Sequence, residues 1–131
     1  MDKFDHIPAH IESIASSVVD SAFKVHSTLG PGLLESVYEV CLCHELSLRD
    51  LPFQRQVSVP VVYEGIKLDA GLRLDMLVAE SVIVDLKSVE KMNPVFEAQL
   101  LTYLKLTGKR IGILINFNVP LIRDGIKRII L

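Results

Sequence analysis

Residues 72–89 read LRLDMLVAESVIVDLKSV. Apolar residues dominate both halves, Gly71 to Val78 and Ser81 to Ser88, and the short Ala79-Glu80 link between them predicts a tight antiparallel hairpin. Besides Arg73, three ionisable groups interrupt it. Asp75 lies in the first strand, while Asp85 and Lys87, at i and i+2, share one face of the second. The turn brings Asp75 alongside them. Charges inside a buried hairpin are costly unless they are paired or bound to metal. Two neighbouring carboxylates repel each other and favour a hard divalent cation, Mg²⁺ or Mn²⁺, over Zn²⁺. An ammonium beside such an ion orients or helps deprotonate a water, and these are the parts that phosphodiester hydrolysis needs. The same residues also suit a structural ion pair of Asp85 or Asp75 with Lys87 or Arg73, and the spacing alone does not decide between the two.

On the C-terminal side, Asn93-Pro94 opens a helix as cap and first-turn proline, and Gly108 closes it after Thr107. Residues 110 to 117 form a nearly continuous apolar strand, expected at the centre of a sheet, and Ile126 to Leu131 forms a last strand. On the N-terminal side, Ile11, Ile14, Ala15, Val18, Ala22, Val25 and Leu29 repeat at helical spacing from His10 onward. Gly30-Pro31-Gly32 stops that helix. A second helix is predicted from about Leu33 to Leu48, ended by Asp50-Leu51-Pro52. Phe53 to Val62 alternates as a strand, with Pro60 marking an edge or bulge. Tyr63-Glu64-Gly65 turns the chain, and Ile66 to Asp69 makes a short return. The order describes one α/β domain over residues 1–131, a mixed sheet flanked by helices.

Composition narrows the function classes. The chain has 131 residues, half of them hydrophobic, enough for one real core but not for two. The net charge of −2 argues against a strongly basic nucleic-acid binder. Its distribution is uneven: residues 1–104 carry 8 basic and 15 acidic groups, whereas Lys105, Lys109, Arg110, Arg123, Lys127 and Arg128 face Asp124 alone in residues 105–131. That basic end is a candidate for phosphate contact. No apolar run is long enough for a membrane span, and the opening residues Asp2, Lys3 and Asp5 do not resemble a signal peptide, so a cytoplasmic protein is expected. Cys41 and Cys43, two apart on a helix, form neither a disulfide nor a zinc site. His6, His10, His26 and His44 make no ligand pair and are expected at the surface or on helix flanks. The mean hydropathy of +0.38 is high for a chain of this size, so a homodimer that buries apolar surface is one expected assembly.

Two further patterns complete the set: Gly32-x-x-Glu35-x-x-Tyr38 after the Gly-Pro-Gly break, and Gln99-x-x-x-Tyr103 one turn apart on the third helix. With Arg73-x-Asp75, the Asp85-Leu86-Lys87 stretch and Leu114-Ile115-Asn116-Phe117, the chain resembles the bacterial GxxExxY family of the PD-(D/E)XK nuclease-like superfamily, from about Ile14 to Leu131. The resemblance implies a restriction-endonuclease-like core, αβββαβ, with an extra N-terminal helix. It implies metal-dependent hydrolysis of nucleic acid, DNA rather than RNA, with Mg²⁺ or Mn²⁺ held by Glu35, Asp75, Asp85 and the Leu86 carbonyl. Lys87 would serve the attacking water, and Gln99 and Tyr103 would position the site and the nucleic acid; Arg73 suits either neutralising Asp75 or contacting phosphate. Tyr38 and Tyr103 read as packing residues with a hydroxyl handle. Two positions depart from the family pattern: Asp85 stands where Glu is usual, and Phe96 where His is common. The rival expectation is a catalytically silent nuclease fold that serves as a binding module.

Overall fold

The computed structural model describes residues 6–131; Asp2, Lys3 and Asp5 lie outside them. Helix α1 spans Ala9–Leu29 and buries Ala15, Val18, Ala22 and Val25, the helical stripe read from the sequence. It stops at Gly30, whose φ of 74° a side chain would resist and whose N–H bonds the His26 carbonyl at 2.8 Å. Helix α2, Glu35–Leu48, starts two residues later than the apolar pattern suggested. The Leu33 N–H is drawn instead to the Tyr38 hydroxyl at 3.1 Å, and that hydroxyl donates to the Gly30 carbonyl at 2.6 Å.

Three strands follow: β1 (Phe53–Tyr63), β2 (Ile66–Val78) and β3 (Val82–Lys87). Helix α3 (Pro94–Thr107) is capped by the Asn93 side chain, which accepts the Val95 N–H at 2.9 Å. Strand β4 (Ile111–Asn116), a single 3₁₀ turn (Ile122–Gly125) and β5 (Ile126–Ile130) complete the order. The sheet runs β1-β2-β3-β4-β5, with β3 and β4 parallel and every other pair antiparallel. From α2 onward this is the αβββαβ core, with α1 added before it and β5 after it.

Apolar side chains divide between the two faces of the sheet. Val82, Val84 and Leu86 of β3 and Ile111, Ile113 and Ile115 of β4 join the layer of α1 and α2. Ile83 and Leu114 point the other way, to Leu100 and Leu104 of α3. Gly112 lets α3 approach, since a Cβ there would meet the Leu100 side chain. Each large aliphatic group so buried contributes about 1.5–3 kcal/mol. Cys41 and Cys43 are free thiols, and burial pushes that of Cys43 up to about 11. His26, expected at the surface or on a helix flank, lies on α1 and is buried, with Nε2 2.8 Å from the Val119 carbonyl.

Two departures from the expected strands matter for the site. The expected short return and the strand after it are one strand, β2. The register slips between Val59 and Val61, so that Pro60 alone faces residues 69–71. Pro60 offers no N–H to lose there, and Gly71 has no room for a Cβ beside Val61. The second irregularity lies at the Gln56–Asp75 rung. Arg55 and Met76 face the α2 layer, through Glu39 and the core respectively, whereas Val57 and Leu74, two residues along, face the α3 layer. Regular alternation would keep them on one side. Gln56 sits at a φ of 51°, in the left-handed region, and the ribbon turns over at this rung.

Candidate active site

The β2–β3 ladder runs from Val78–Val82 to Met76–Val84 and ends one rung before Asp75 and Asp85 would pair. There the Asp75 carboxylate accepts the Leu86 backbone N–H at 2.9 Å. It also lies within hydrogen-bonding reach of the Asp85 carboxyl. Asp85 is buried, 6% exposed, in a strand whose side chains other than Lys87 are apolar. Its Oδ1 lies 3.6 Å from Lys87 Nζ, while Oδ2 is buried without a hydrogen-bond partner. Burial first, then the hydrogen bond with Asp75, pushes Asp85 up to about 7, against the pull of Lys87. Lys87 is held from the other side as well, its Nζ 4.5 Å from the centre of the Phe96 ring on α3. The Phe96 ring therefore serves as a cation platform.

Other groups face this nucleus from two helices. Glu35, in the first turn of α2, has its carboxyl raised by partial desolvation and then by the charge of Asp75, against Lys87. Tyr103 of α3 has its phenol raised by burial and by the charges of Asp85 and Asp75, and it shares a hydrogen bond with Gln99. Arg73 is exposed on β2, its backbone paired with Ser58. Asp85 thus lies between Asp75 and Lys87, and Glu35 and Tyr103 are near enough to feel their charges, with Gln99 bonded to Tyr103. Among the described residues no three His, Cys, Asp or Glu side chains are grouped closely enough to hold a metal ion. The two aspartates nonetheless fit one: they are hard oxygen donors side by side, and Asp85 Oδ2 is a buried acceptor with nothing to accept.

Sequence reading missed the supports of this arrangement. Glu39, buried one turn beyond Glu35, accepts Arg55 Nε at 2.9 Å and Gln56 Nε2 at 2.9 Å and so anchors the strand at its turnover point. Asn116, the polar end of an apolar strand, clips the β3 exit by accepting the Val89 N–H at 3.1 Å and donating to the Val89 carbonyl at 3.0 Å. Ser88 Oγ donates to the Leu33 carbonyl at 2.6 Å. A lone polar residue inside or ending an apolar run was the available signal in the case of Asn116; Glu39 offered none. The basic C-terminal end is less available than its composition suggested. Arg128 pairs with Glu12 at 2.6 Å, Lys127 with Glu97 at 3.3 Å, and Arg110 Nε donates to the Leu131 carbonyl at 2.9 Å.

A mixed sheet between helices, with one aspartate on a strand and an Asp-x-Lys on the next at the same end, defines a restriction-endonuclease-like fold. The chain belongs to the PD-(D/E)XK nuclease superfamily, whose sequence profile matches residues 12–129. That superfamily carries nuclease-type activity, generally uses divalent metals and binds nucleic acid. Neither a curated protein nor a solved structure gives a significant match to the chain. No helix among the described residues is long and apolar enough to cross a membrane.

Proposed function

We propose that this chain, as a single nuclease domain of the GxxExxY type over residues 1–131, hydrolyses phosphodiester bonds in nucleic acid, with DNA as its substrate. The observation that carries this reading is the buried, unpartnered Asp85 Oδ2 beside Asp75 and Lys87. Buried polar atoms are generally hydrogen-bonded, so an aspartate oxygen left over beside a second carboxylate is a site at which a cation would be favoured. Asp75 and Asp85 would hold Mg²⁺ or Mn²⁺, and Glu35 and the Leu86 carbonyl are the further oxygen donors that could be drawn to it. When bound, the ion supplies Lewis-acid polarisation of the phosphoryl oxygens. Lys87, beside Asp85 and Phe96, would orient the attacking water, which adds to phosphorus in line and gives up a proton to solvent as the opposite P–O bond breaks and its departing oxygen takes a proton up. Gln99 and Tyr103 bound the pocket on the α3 side, and Arg73 contacts a flanking phosphate.

The test is cleavage of labelled single- and double-stranded DNA, with RNA in parallel, by the wild type, Asp75→Ala and Lys87→Ala. The wild type should cut in Mg²⁺ or Mn²⁺ and stop in EDTA, both variants should be inert, and the ions should raise the thermal midpoint of the wild type but not of Asp75→Ala. A wild type that neither cleaves nor shifts with the ions would overturn the reading. The internal pairing of Arg128 and Lys127 favours one other reading, a silent fold that binds without cutting. It predicts nucleic-acid or protein binding indifferent to EDTA and to Lys87→Ala.

A further inference from the structure

Two consecutive residues of β1 reach the same carboxylate. Arg55 Nε and Nη2 donate to Glu39 Oε2 at 2.9 and 2.7 Å, and Gln56 Nε2 donates to Oε1 at 2.9 Å. Neighbours on a regular strand point to opposite faces, so one acceptor cannot serve both. Gln56 makes it possible by adopting a φ of 51°, a conformation that a glutamine resists. Arg55 alone would satisfy the charge of Glu39, which is buried on α2. The second bond, to Gln56, is one that an ordinary ion pair does not need, and it holds the strand in a strained shape. Bonds to an ionised acceptor are about twice as strong as neutral ones, enough to offset that strain.

The strained rung is the one that carries Asp75. β1–β2 pairing runs to Arg55–Met76 and resumes at Val57–Leu74, and β2–β3 pairing stops at Met76–Val84. Asp75 falls in the gap of both ladders. Continued register would set Leu74 opposite Leu86, both in the α2 layer with Met76 and Val84. Leu74 packs instead in the α3 layer. Its place beside Leu86 is taken by the Asp75 carboxylate, which accepts the Leu86 N–H. The turnover at Gln56 therefore delivers Asp75 to β3. We propose that Glu39 is a positioning residue for the metal site: by holding Gln56 in its left-handed conformation it turns β2 so that the Asp75 carboxylate lies across β3 beside Asp85, and so sets the affinity for the divalent ion. It acts through Gln56, not as a ligand. Without this clamp Gln56 relaxes toward an ordinary strand angle and Asp75 moves off the Leu86 N–H. The inference rests on the two-aspartate site proposed for this chain.

Mn²⁺ affinity of the full chain, read by calorimetry without nucleic acid, tests it together with amide exchange in EDTA. Glu39→Gln and Gln56→Ala should each bind Mn²⁺ at least about 10-fold more weakly than the wild type, the loss typical when a support of a metal ligand is removed. In both, the Leu86 amide should exchange faster by a similar factor relative to the Ile83 amide, which lies inside the paired ladder. Gln56→Ala keeps the Arg55–Glu39 pair and reads the same link should Glu39→Gln fail to fold. Gln56→Gly, which accepts the left-handed angle unaided, should lose less affinity than Gln56→Ala. Glu12→Gln breaks the ion pair with Arg128 between α1 and β5 and should bind Mn²⁺ as the wild type does. Unchanged affinity or unchanged Leu86 exchange in the folded variants, equal losses from Gln56→Gly and Gln56→Ala, or an equal loss from Glu12→Gln would each overturn the inference and leave the metal site standing. A wild type that takes up no Mn²⁺ would overturn the site itself and the inference with it.

Discussion

The Asp75 carboxylate accepts the Leu86 N–H at 2.9 Å at the point where the β2–β3 ladder has already ended. A side chain thus holds two strands together where backbone pairing has ceased, and the gap between them is lined by carboxylates. The turnover of the ribbon at Gln56, fixed by Glu39, coincides with that gap. Strain and unsatisfied polarity collect at one rung of the sheet, as they do where geometry serves chemistry rather than stability.

Asp85 should make the metal-free protein less stable as the pH rises. Its carboxyl is raised to about 7 by burial and by Asp75, so the protonated form favours the folded state. That contribution is fully present below about pH 4 and is lost as the pH climbs through about 7. In EDTA, urea unfolding of the wild type should lose about 2–3 kcal/mol more between pH 5 and pH 8 than that of Asp85→Asn. Parallel pH profiles for the two proteins would refute the assignment.

Lys87→Met should leave cooperative unfolding intact but lower single-turnover cleavage at least about 100-fold. Phe96→Leu removes only the ring beneath the ammonium, and its loss should be a few-fold. Equal losses from the two variants would show that Phe96 does more than hold the cation.

Tyr38→Phe keeps the ring stacked on Phe117, at 4.5 Å between centroids, but removes the hydroxyl that joins Gly30 to Leu33. Two partly buried backbone groups lose a partner, which should cost about 1 kcal/mol in chemical denaturation. The Leu33 amide should exchange faster in the folded variant. Unchanged exchange at that amide would mean that the hydroxyl bonds contribute little.

Glu80 occupies the left-handed region at a φ of 57° in the β2–β3 turn, with its side chain in solvent. Glycine accepts that conformation without the Cβ penalty. Glu80→Gly should therefore raise stability by about 1 kcal/mol, read as a higher denaturant midpoint at unchanged slope. A lower midpoint would show that the larger freedom of glycine in the unfolded chain outweighs the relief of strain.

The helices and the hairpin were legible because each buries one regular face. Ala15, Val18, Ala22 and Val25 repeat at 3.6 residues, and Asn93-Pro94 and Gly108 punctuate α3 as expected. Asp85 and Lys87 were legible as charges interrupting an apolar strand. The unity of β2 was hidden because Gly71 and the polar residues before it mimic a break, although β1 pairs with the strand on both sides of the bulge. The turnover at Gln56 was invisible for a different reason. Nothing local favours a left-handed glutamine; the conformation follows from Glu39, 17 positions earlier, which only the folded chain brings near. The same holds for Asn116 and Val89, and for Ser88 and Leu33, whose partners lie 27 and 55 positions away.

Leu33 is stitched at both of its backbone polar atoms, the N–H to the Tyr38 hydroxyl and the carbonyl to Ser88 Oγ. The start of α2, which presents Glu35, is thereby riveted to the exit of β3, which presents Lys87. Neither bank of the cleft has a hinge of its own at this seam. An insertion in the Gly30-Pro31-Gly32 turn would be transmitted to both walls at once.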